Sequence, residues 1–275
     1  MRIKSVGHAV FAVAMIALGI VGLIRSEFAA VWNGLPKGMP GHEALVSLCS
    51  VVALACGVGL FWPRTMALAA RVLLAWLVIW TLLVKARFIV LHPLVEGAYQ
   101  TNGENAVVIA GAWVLYARLA TDWDKRWIGF ATGDTGIRIA RVLFGLALIA
   151  FGFSHFAYLN LTVPLIPGWL PGHVFWAYFT GSAYLAAGAA VLTGICARLA
   201  AVLSTVQMGS FIFLVWLPLA LAGKMTPFNW GELVATCVLT AGGWAVAESY
   251  RGVAWLGMRV PRTALDENAA TKQET

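Results

Sequence analysis

Apolar stretches recur along this chain at the length that crosses a lipid bilayer. The hydrocarbon layer is about 30 Å thick, so a helix needs roughly 17 to 25 mostly apolar residues to cross it. Apolar residues make up 61% of the 275-residue chain and charged residues only 11%, whereas about 25% are charged in an average soluble domain. A soluble core cannot bury that much apolar surface, so the sequence predicts an all-α membrane protein in contact with lipid.

The apolar pattern predicts eight transmembrane helices. They cover residues 6–24, 44–62, 68–91, 105–117, 140–157, 174–194, 199–222 and 233–248. The first stretch follows two cations, as in a signal peptide. It is longer than a typical signal-peptide core and has no small-residue cleavage site, so we predict an uncleaved span.

Basic residues divide unequally between the two sides of this topology. With the N-terminus inside, 14 Lys and Arg residues fall in inner segments and 5 in outer segments. Positive residues resist translocation, so this split predicts a cell inner-membrane protein with both termini in the cytoplasm. It also accounts for the net charge of +7, and no nucleic-acid partner is expected.

Three short motifs occur twice, in the same order, which predicts an internal repeat. They are MPGH at 39–42 and LPGH at 170–173, SEFA at 26–29 and SHFA at 154–157, and Gly-Glu at 103–104 and 231–232. The separation between the two copies is nearly the same for all three motifs. Each half begins and ends inside, so the sequence predicts two parallel four-helix repeats. They cover 1–117 and 140–258, with a cytoplasmic linker at 118–139 and a disordered tail at 259–275.

Two cations in the third predicted span are the most informative polar residues. At 1.5 Å per residue, Lys85 stands about 21 Å above Arg71, short of a full crossing. Lys85 and Arg87 therefore need counter-charges, and Glu27 and Glu104 are the natural candidates. This pattern is compatible with an anion or substrate site, or with a structural ion-pair network or snorkelling to the interface.

A histidine at the outer side of the second half adds a further candidate. In the motif alignment His155 takes the place of Glu27, and it could ligate a metal, relay protons or bond a quinone carbonyl. A histidine satisfied at the interface is the alternative. The uncharged loop 158–173 that follows would suit an amphiphile such as a quinone. Tyr158, Asn229 and Glu232 complete the predicted substrate site.

Metal and haem motifs do not occur in the sequence. There is no H-E-x-x-H or H-x-x-E-H spacing and no C-x-x-C-H motif for covalent haem. We therefore predict no metal site and do not expect haem, while a quinone stays open as a ligand.

The second half resembles the DoxX-like family of membrane proteins. The resemblance rests on Phe144-Gly145 through Ser154-His155-Phe156, the loop prolines from Pro164 to Pro171, Gly181, Gly188, and Asn229 followed by Gly231-Glu232. The first half matches more loosely, with Glu27 in place of the histidine. The resemblance implies a four-helix bundle in each half. For some members it also implies a membrane subunit of a thiosulfate:quinone oxidoreductase or a partner of thiol-redox enzymes.

Three functional hypotheses follow from the sequence. The first is a redox-associated, quinone-linked membrane subunit with its site at the outer face and a membrane-associated redox enzyme as partner. The second is a small-anion transporter that binds its substrate between the repeats. The third is a non-catalytic scaffold for partner enzymes.

Overall fold

The computed structural model describes residues 5–25, 30–36 and 38–257. These residues form helices joined by loops, with no strand among them. The α-helices in this part of the chain are α1 Val6–Arg25, α2 His42–Gly59, α3 Met66–Trp80, α4 Ala86–Leu91, α5 Glu96–Leu119, α6 Asp122–Trp127, α7 Gly133–Ala157, α8 Leu159–Thr162, α9 His173–Thr193, α10 Ala197–Phe211, α11 Leu217–Leu221 and α12 Pro227–Glu248.

Seven helical stretches in the described part are long and apolar enough to cross a membrane. They are Val6–Arg25, His42–Gly59, Met66–Leu91, Gly133–Ala157, His173–Thr193, Ala197–Leu221 and Pro227–Glu248. The predicted span at 105–117 is not among them, because it forms the middle of the more polar helix α5. The burial of α5 explains its composition: 14 of its 24 residues are buried, since α3, α7 and α12 pack around it.

The long helices pack in a closed order with two helices at the centre. Helix α1 packs on α2, α2 on α3, α3 on α5, α5 on α7, α7 on α9, α9 on α10, α10 on α12, and α12 on α1. Helices α5 and α12 also pack on each other across the middle. The first helix of each half therefore contacts the last helix of the other half, which ties the halves into one bundle.

The two central helices cross at a pair of glycines. A Cβ built on Gly111 would lie 2.7 Å from the Gly242 Cα, and one built on Gly242 would lie 2.8 Å from the Val107 carbonyl oxygen. Real Cβ atoms do not approach other heavy atoms so closely, so only glycine permits this backbone contact. The glycines bring α5 and α12 together where the two halves of the chain meet.

A π-helical turn interrupts the third long helix of each half. Residues Thr81–Lys85 form one between α3 and α4, and Ile212–Trp216 form the other between α10 and α11. Both turns therefore occur at the same place in the order of helices. Single π-helical turns inside α-helices occur frequently at functional sites because they redirect the side chains that follow.

Arginine contacts collect at one end of the bundle, which we call the arginine end. The Arg71 guanidinium donates to both carboxylate oxygens of Asp124 at 2.7 and 2.9 Å. Arg118 donates to the backbone carbonyl of Glu248, and Arg141 to that of Ser249. Burial alone would raise the pKa of Asp124, but hydrogen bonds from Arg71, Thr121 and Tyr116 outweigh it and hold the pKa below its usual range.

The structure shifts several predicted boundaries. The predicted linker at 118–139 contains α6 and the first turns of α7, which begins at Gly133 rather than near residue 140. A capping box explains the start of α6: the Asp124 carboxylate accepts from the Thr121 backbone N–H at 2.7 Å. The predicted tail at 259–275 lies outside the described residues.

Candidate functional site

Lys85 lies fully inside the bundle at the opposite end, which we call the lysine end. Only 1% of its surface is exposed. Its Nζ donates to the Asn105 Oδ1 at 2.9 Å and to the Thr101 carbonyl oxygen at 3.3 Å. Asn105 in turn donates through Nδ2 to the Thr81 hydroxyl at 2.9 Å. The first and last residues of the π-helical turn therefore both bind the same asparagine of α5.

One carboxylate interacts with this lysine, and two further carboxylates interact with the first. Glu104 interacts electrostatically with Lys85, and also with Glu232 on α12 and Glu96 at the start of α5. Both carboxylate oxygens of Glu96 are buried and accept no hydrogen bond within the described part of the chain. The site thus joins one ammonium group to three carboxylates, on the third helix of the first half and the two central helices.

A second asparagine fixes the backbone of the π-helical turn. Asn102 donates through Nδ2 to the Lys85 carbonyl oxygen at 3.1 Å and to the Ala98 carbonyl oxygen at 2.8 Å. A π-helical turn leaves backbone carbonyls without their regular helical partners, and in a bilayer core these need another donor. Asn102 supplies that donor, so α5 holds both the side chain and the backbone of Lys85.

The second half carries a neutral version of this arrangement. Trp216 ends its π-helical turn as Lys85 ends the first, and its indole Nε1 donates to the Thr236 hydroxyl at 2.9 Å. The offset in residue number from Lys85 to Trp216 is the same as that from Asn105 to Thr236. In both halves a buried donor on the π-helical turn therefore contacts an acceptor on the central helix. The donor is charged only in the first half, where it is the ammonium of Lys85.

His155 lies in a separate place, between α7, α9 and α10. Its ring centroid is 5.4 Å from that of Tyr184 and 6.4 Å from that of Phe211. Its Nδ1 lies 2.7 Å from the Phe151 carbonyl oxygen. A carbonyl only accepts, so Nδ1 carries the proton and Nε2 of the neutral ring is an acceptor. The structure does not bring His155 into contact with Lys85.

The remaining predicted site residues have structural contacts. Arg87 is exposed and donates to the Gly34 carbonyl oxygen at 3.4 Å. The Tyr158 hydroxyl accepts from the Gly97 backbone N–H at 3.0 Å, which fixes the start of α5 beside Glu96. The Asn229 backbone N–H donates to the capping hydroxyl of Thr226 at 3.2 Å. Glu27, predicted as a counter-charge of Lys85, lies outside the described residues.

Four polar contributors to the site were not predicted from the sequence: Thr81, Glu96, Asn102 and Asn105. Thr81 is a single polar residue inside an apolar run, and Asn105 directly follows the predicted site residue Glu104; these are the signals that could have found them. Glu96 was passed over because the fourth span was predicted to start at residue 105, whereas α5 already begins at Glu96. Within the described ranges, no group of three or more His, Cys, Asp or Glu side chains has the arrangement of a metal site.

Comparisons with known proteins assign no family, since no protein-family model, no curated protein and no solved structure matches this chain at a significant level. Functional assignment therefore rests on the geometry and the charge of the site.

Proposed function

We propose that this protein is a proton-coupled membrane transporter whose proton-exchanging site is formed by Lys85, Glu104, Glu96 and Glu232. The observation that supports the proposal is the buried ammonium of Lys85 beside Glu104, which also interacts with Glu232 and Glu96. Ionisable groups inside a membrane protein are costly and usually mark ion or proton pathways.

The balance of charge favours a proton over an anion as the species bound. One ammonium cannot neutralise three carboxylates, and unpaired charge in a low-dielectric interior is strongly unfavourable. At least one carboxylate must therefore hold a proton or bind a cation. An anion would add to the excess negative charge, and Arg87 on α4 is exposed and donates to the loop residue Gly34. The small-anion transporter is the weaker version of this hypothesis.

An internal repeat would give such a site a two-fold framework. One constant offset in residue number relates three pairs of positions. They are Thr81 and Ile212, which start the π-helical turns, then Lys85 and Trp216, and finally Gly111 and Gly242. Helix α5 then corresponds to α12, so we infer that α5 is an eighth span, enclosed by the other helices. Parallel repeats with a site between them are common in secondary transporters.

Packing supports a different register for the first helix of each repeat. Gly57 of α2 contacts the backbone of Ala12, and Gly188 of α9 contacts that of Gly145, so Ala12 and Gly145 occupy equivalent positions. In this register His155 corresponds to Gly22 and not to Glu27. The motif match with Glu27 compares short segments near helix ends, whereas interhelical contacts define which residues occupy equivalent positions.

Membrane orientation follows from the arginine end. Arg71, Arg118 and Arg141 make their contacts at the end opposite the site, and arginines are predominantly retained on the cytoplasmic side. We therefore place the arginine end in the cytoplasm and the site in the outer half of the bilayer.

Proton binding can be tested without knowing the transported solute. Infrared difference spectra of the reconstituted protein should show the carbonyl stretch of a protonated carboxylic acid that responds to pH. Glu104→Gln should remove or shift this signal, while Glu43→Gln, at an exposed outer helix end, should leave it unchanged. Identical spectra for the wild type and Glu104→Gln would contradict the proposal.

Coupling to transport needs a flux measurement. In liposomes loaded with a pH-sensitive dye, a transported solute should drive proton movement through the wild type, and Glu104→Gln should abolish it. If a solute crosses equally well in both proteins with no movement of protons, the site does not couple transport.

A quinone-linked site is the second candidate, and the surroundings of His155 favour it. The ring lies beside Tyr184 and Phe211, and Nε2 makes no hydrogen bond in the described part of the chain. Such an acceptor in an aromatic setting suits the hydroxyl of a quinol. The resemblance to the DoxX-like family, which implies a redox-enzyme partner, also favours this candidate. Purified protein that retains no quinone, with His155→Ala indifferent in quinone-linked assays, would remove it.

A further inference from the structure

An apolar groove opens between α1 and α12 towards the lysine end. Its volume is about 290 Å³, and it is lined by Ala14, Ala17 and Val21 on α1 and by Leu233, Val234 and Cys237 on α12. Arg25, the last residue of α1, borders it as well. The groove contains almost no polar surface apart from this guanidinium, so it is an apolar groove with one cation at its end.

The equivalent interface in the other half is closed. There α5 packs on α7, and a Cβ built on Gly103 would lie 3.3 Å from the Ala150 Cβ and 3.4 Å from the Phe151 ring. In the registers given above, Val234 takes the position of Gly103, and Ala17 takes that of Ala150. Valine in place of glycine holds α12 away from α1, so the groove has a sequence cause.

Arg25 has no protein counter-charge in the described ranges. Its side chain is exposed and makes no hydrogen bond or ion pair there. A cation at the C-terminus of a helix gains from the helix dipole, but that gain does not require a groove beside it. The one cation at the end of an apolar groove is complementary to the anionic head of an amphiphile.

We propose that this groove binds a free fatty acid, with its carboxylate on Arg25 and its acyl chain along the groove. At about 30 Å³ per water-sized group, the volume holds roughly ten such groups. That is room for part of one acyl chain and not for two chains side by side, so a single-chain fatty acid fits the groove better than a two-chain phospholipid. This inference does not rest on the proton-exchanging site.

Binding can be measured with two probes that share a chain and differ in the head. Oleate carries a carboxylate and monoolein is uncharged. In neutral detergent, native mass spectrometry should show about tenfold tighter binding of oleate than of monoolein. Arg25→Gln should remove this preference, whereas Arg64→Gln, at a cation on the loop between α2 and α3, should retain it. Equal binding of the two probes by the wild type would overturn the proposal.

Steric variants test the position of the chain. Ala17→Phe places a ring in the groove and should weaken the binding of both probes. Val13→Phe, on an exposed part of the same helix, should change neither. If Ala17→Phe binds oleate as the wild type does, the chain lies elsewhere.

A native thiol provides a readout that needs no variant at the site. Cys237 is exposed in the groove, while Cys49 and Cys56 are buried. In a Cys196→Ser background, oleate should slow the reaction of Cys237 with a maleimide, and monoolein should slow it less. If an anionic phospholipid protects Cys237 and oleate does not, the fatty-acid assignment is wrong.

Discussion

The two halves of the molecule place different chemistry at their π-helical turns. In the first half, Lys85 on the turn donates to Asn105 on α5, and Glu104 lies nearby. In the second half, Trp216 donates to Thr236 on α12 with no charge in either partner. The backbone of both halves is alike here, so the contact itself is structural, and the charge in the first half is an addition to it.

This difference separates what the π-helical turn requires from what the site requires. Both turns need a side chain that reaches a central helix, and an indole satisfies this need as well as an ammonium does. An ammonium buried in the same place demands a carboxylate, and Glu104 of the first half supplies it. The predictions below test whether the charge or the shared geometry accounts for stability.

Removing the buried charge should have the largest effect. Lys85→Met leaves Glu104 without its cation, and breaking a buried charge pair typically costs about 3 to 5 kcal/mol of the free energy of unfolding. Denaturant titration in mixed micelles measures this loss. The double variant with Glu104→Gln should recover much of it, and no recovery would show that Lys85 acts through packing alone.

The arginine end offers a second charged contact, between Arg71 of the first half and Asp124 on α6. Asp124→Asn should lower the free energy of unfolding by about 2 to 3 kcal/mol, because hydrogen bonds to a charged group are lost. Folding lowers the pKa of Asp124. Its contribution is therefore present above the usual carboxylate range and is lost as the pH falls towards its folded pKa.

A pH series distinguishes this effect from a packing defect. The difference in stability between the wild type and Asp124→Asn should shrink in acid, since the carboxylate of the wild type becomes neutral. A constant difference across the acid range would contradict the assignment.

The glycine crossing tests the contact that both halves share. Gly111→Ala and Gly242→Ala should each lower the free energy of unfolding by about 1 to 3 kcal/mol, because the added methyl forces α5 and α12 apart. Gly129→Ala, which would meet no atom within 4 Å, is the matched control. Unequal losses at the two glycines would show that the halves are not equivalent at their contact.

The neutral counterpart of the site should be the least sensitive. Thr236→Val removes the acceptor of Trp216 and keeps the side-chain shape, so we expect a loss of about 1 kcal/mol in the free energy of unfolding. Proton exchange should be unchanged by this variant. A loss as large as that of Lys85→Met would mean that the buried hydrogen bond, and not the charge, stabilises the π-helical turn.

Hydropathy predicted the class of the protein well, because lipid contact selects long apolar runs. The helical class and the positions of seven spans follow from it. It failed for α5, where contacts with other helices replace contacts with lipid, so Glu96, Asn102 and Asn105 are tolerated inside a long helix. Apolar periodicity reports the environment of a helix, and α5 has an environment made of protein.

Part of the charged cluster could be predicted from the sequence. Glu104 lies within electrostatic range of Lys85 and of Glu232, and the cost of burying an unpaired lysine is the reason that Glu104 was expected beside Lys85. His155 was placed with them by a short motif match, which carries no information about how far a helix is rotated or shifted. The π-helical turns could not be predicted, because Thr81–Lys85 and Ile212–Trp216 share only a Leu-Val pair, which is common in an apolar run.

The polar character of the central helix α5 has a consequence for biosynthesis. As the proposed eighth span, a segment this polar would partition poorly into lipid on its own, so it would enter the membrane together with neighbours that cover it. Two of those neighbours, α7 and α12, are synthesised later. When only the first half has been synthesised, the polar surface of α5 is therefore not yet covered by α7 and α12. The first four helices expressed alone should be degraded rather than accumulate.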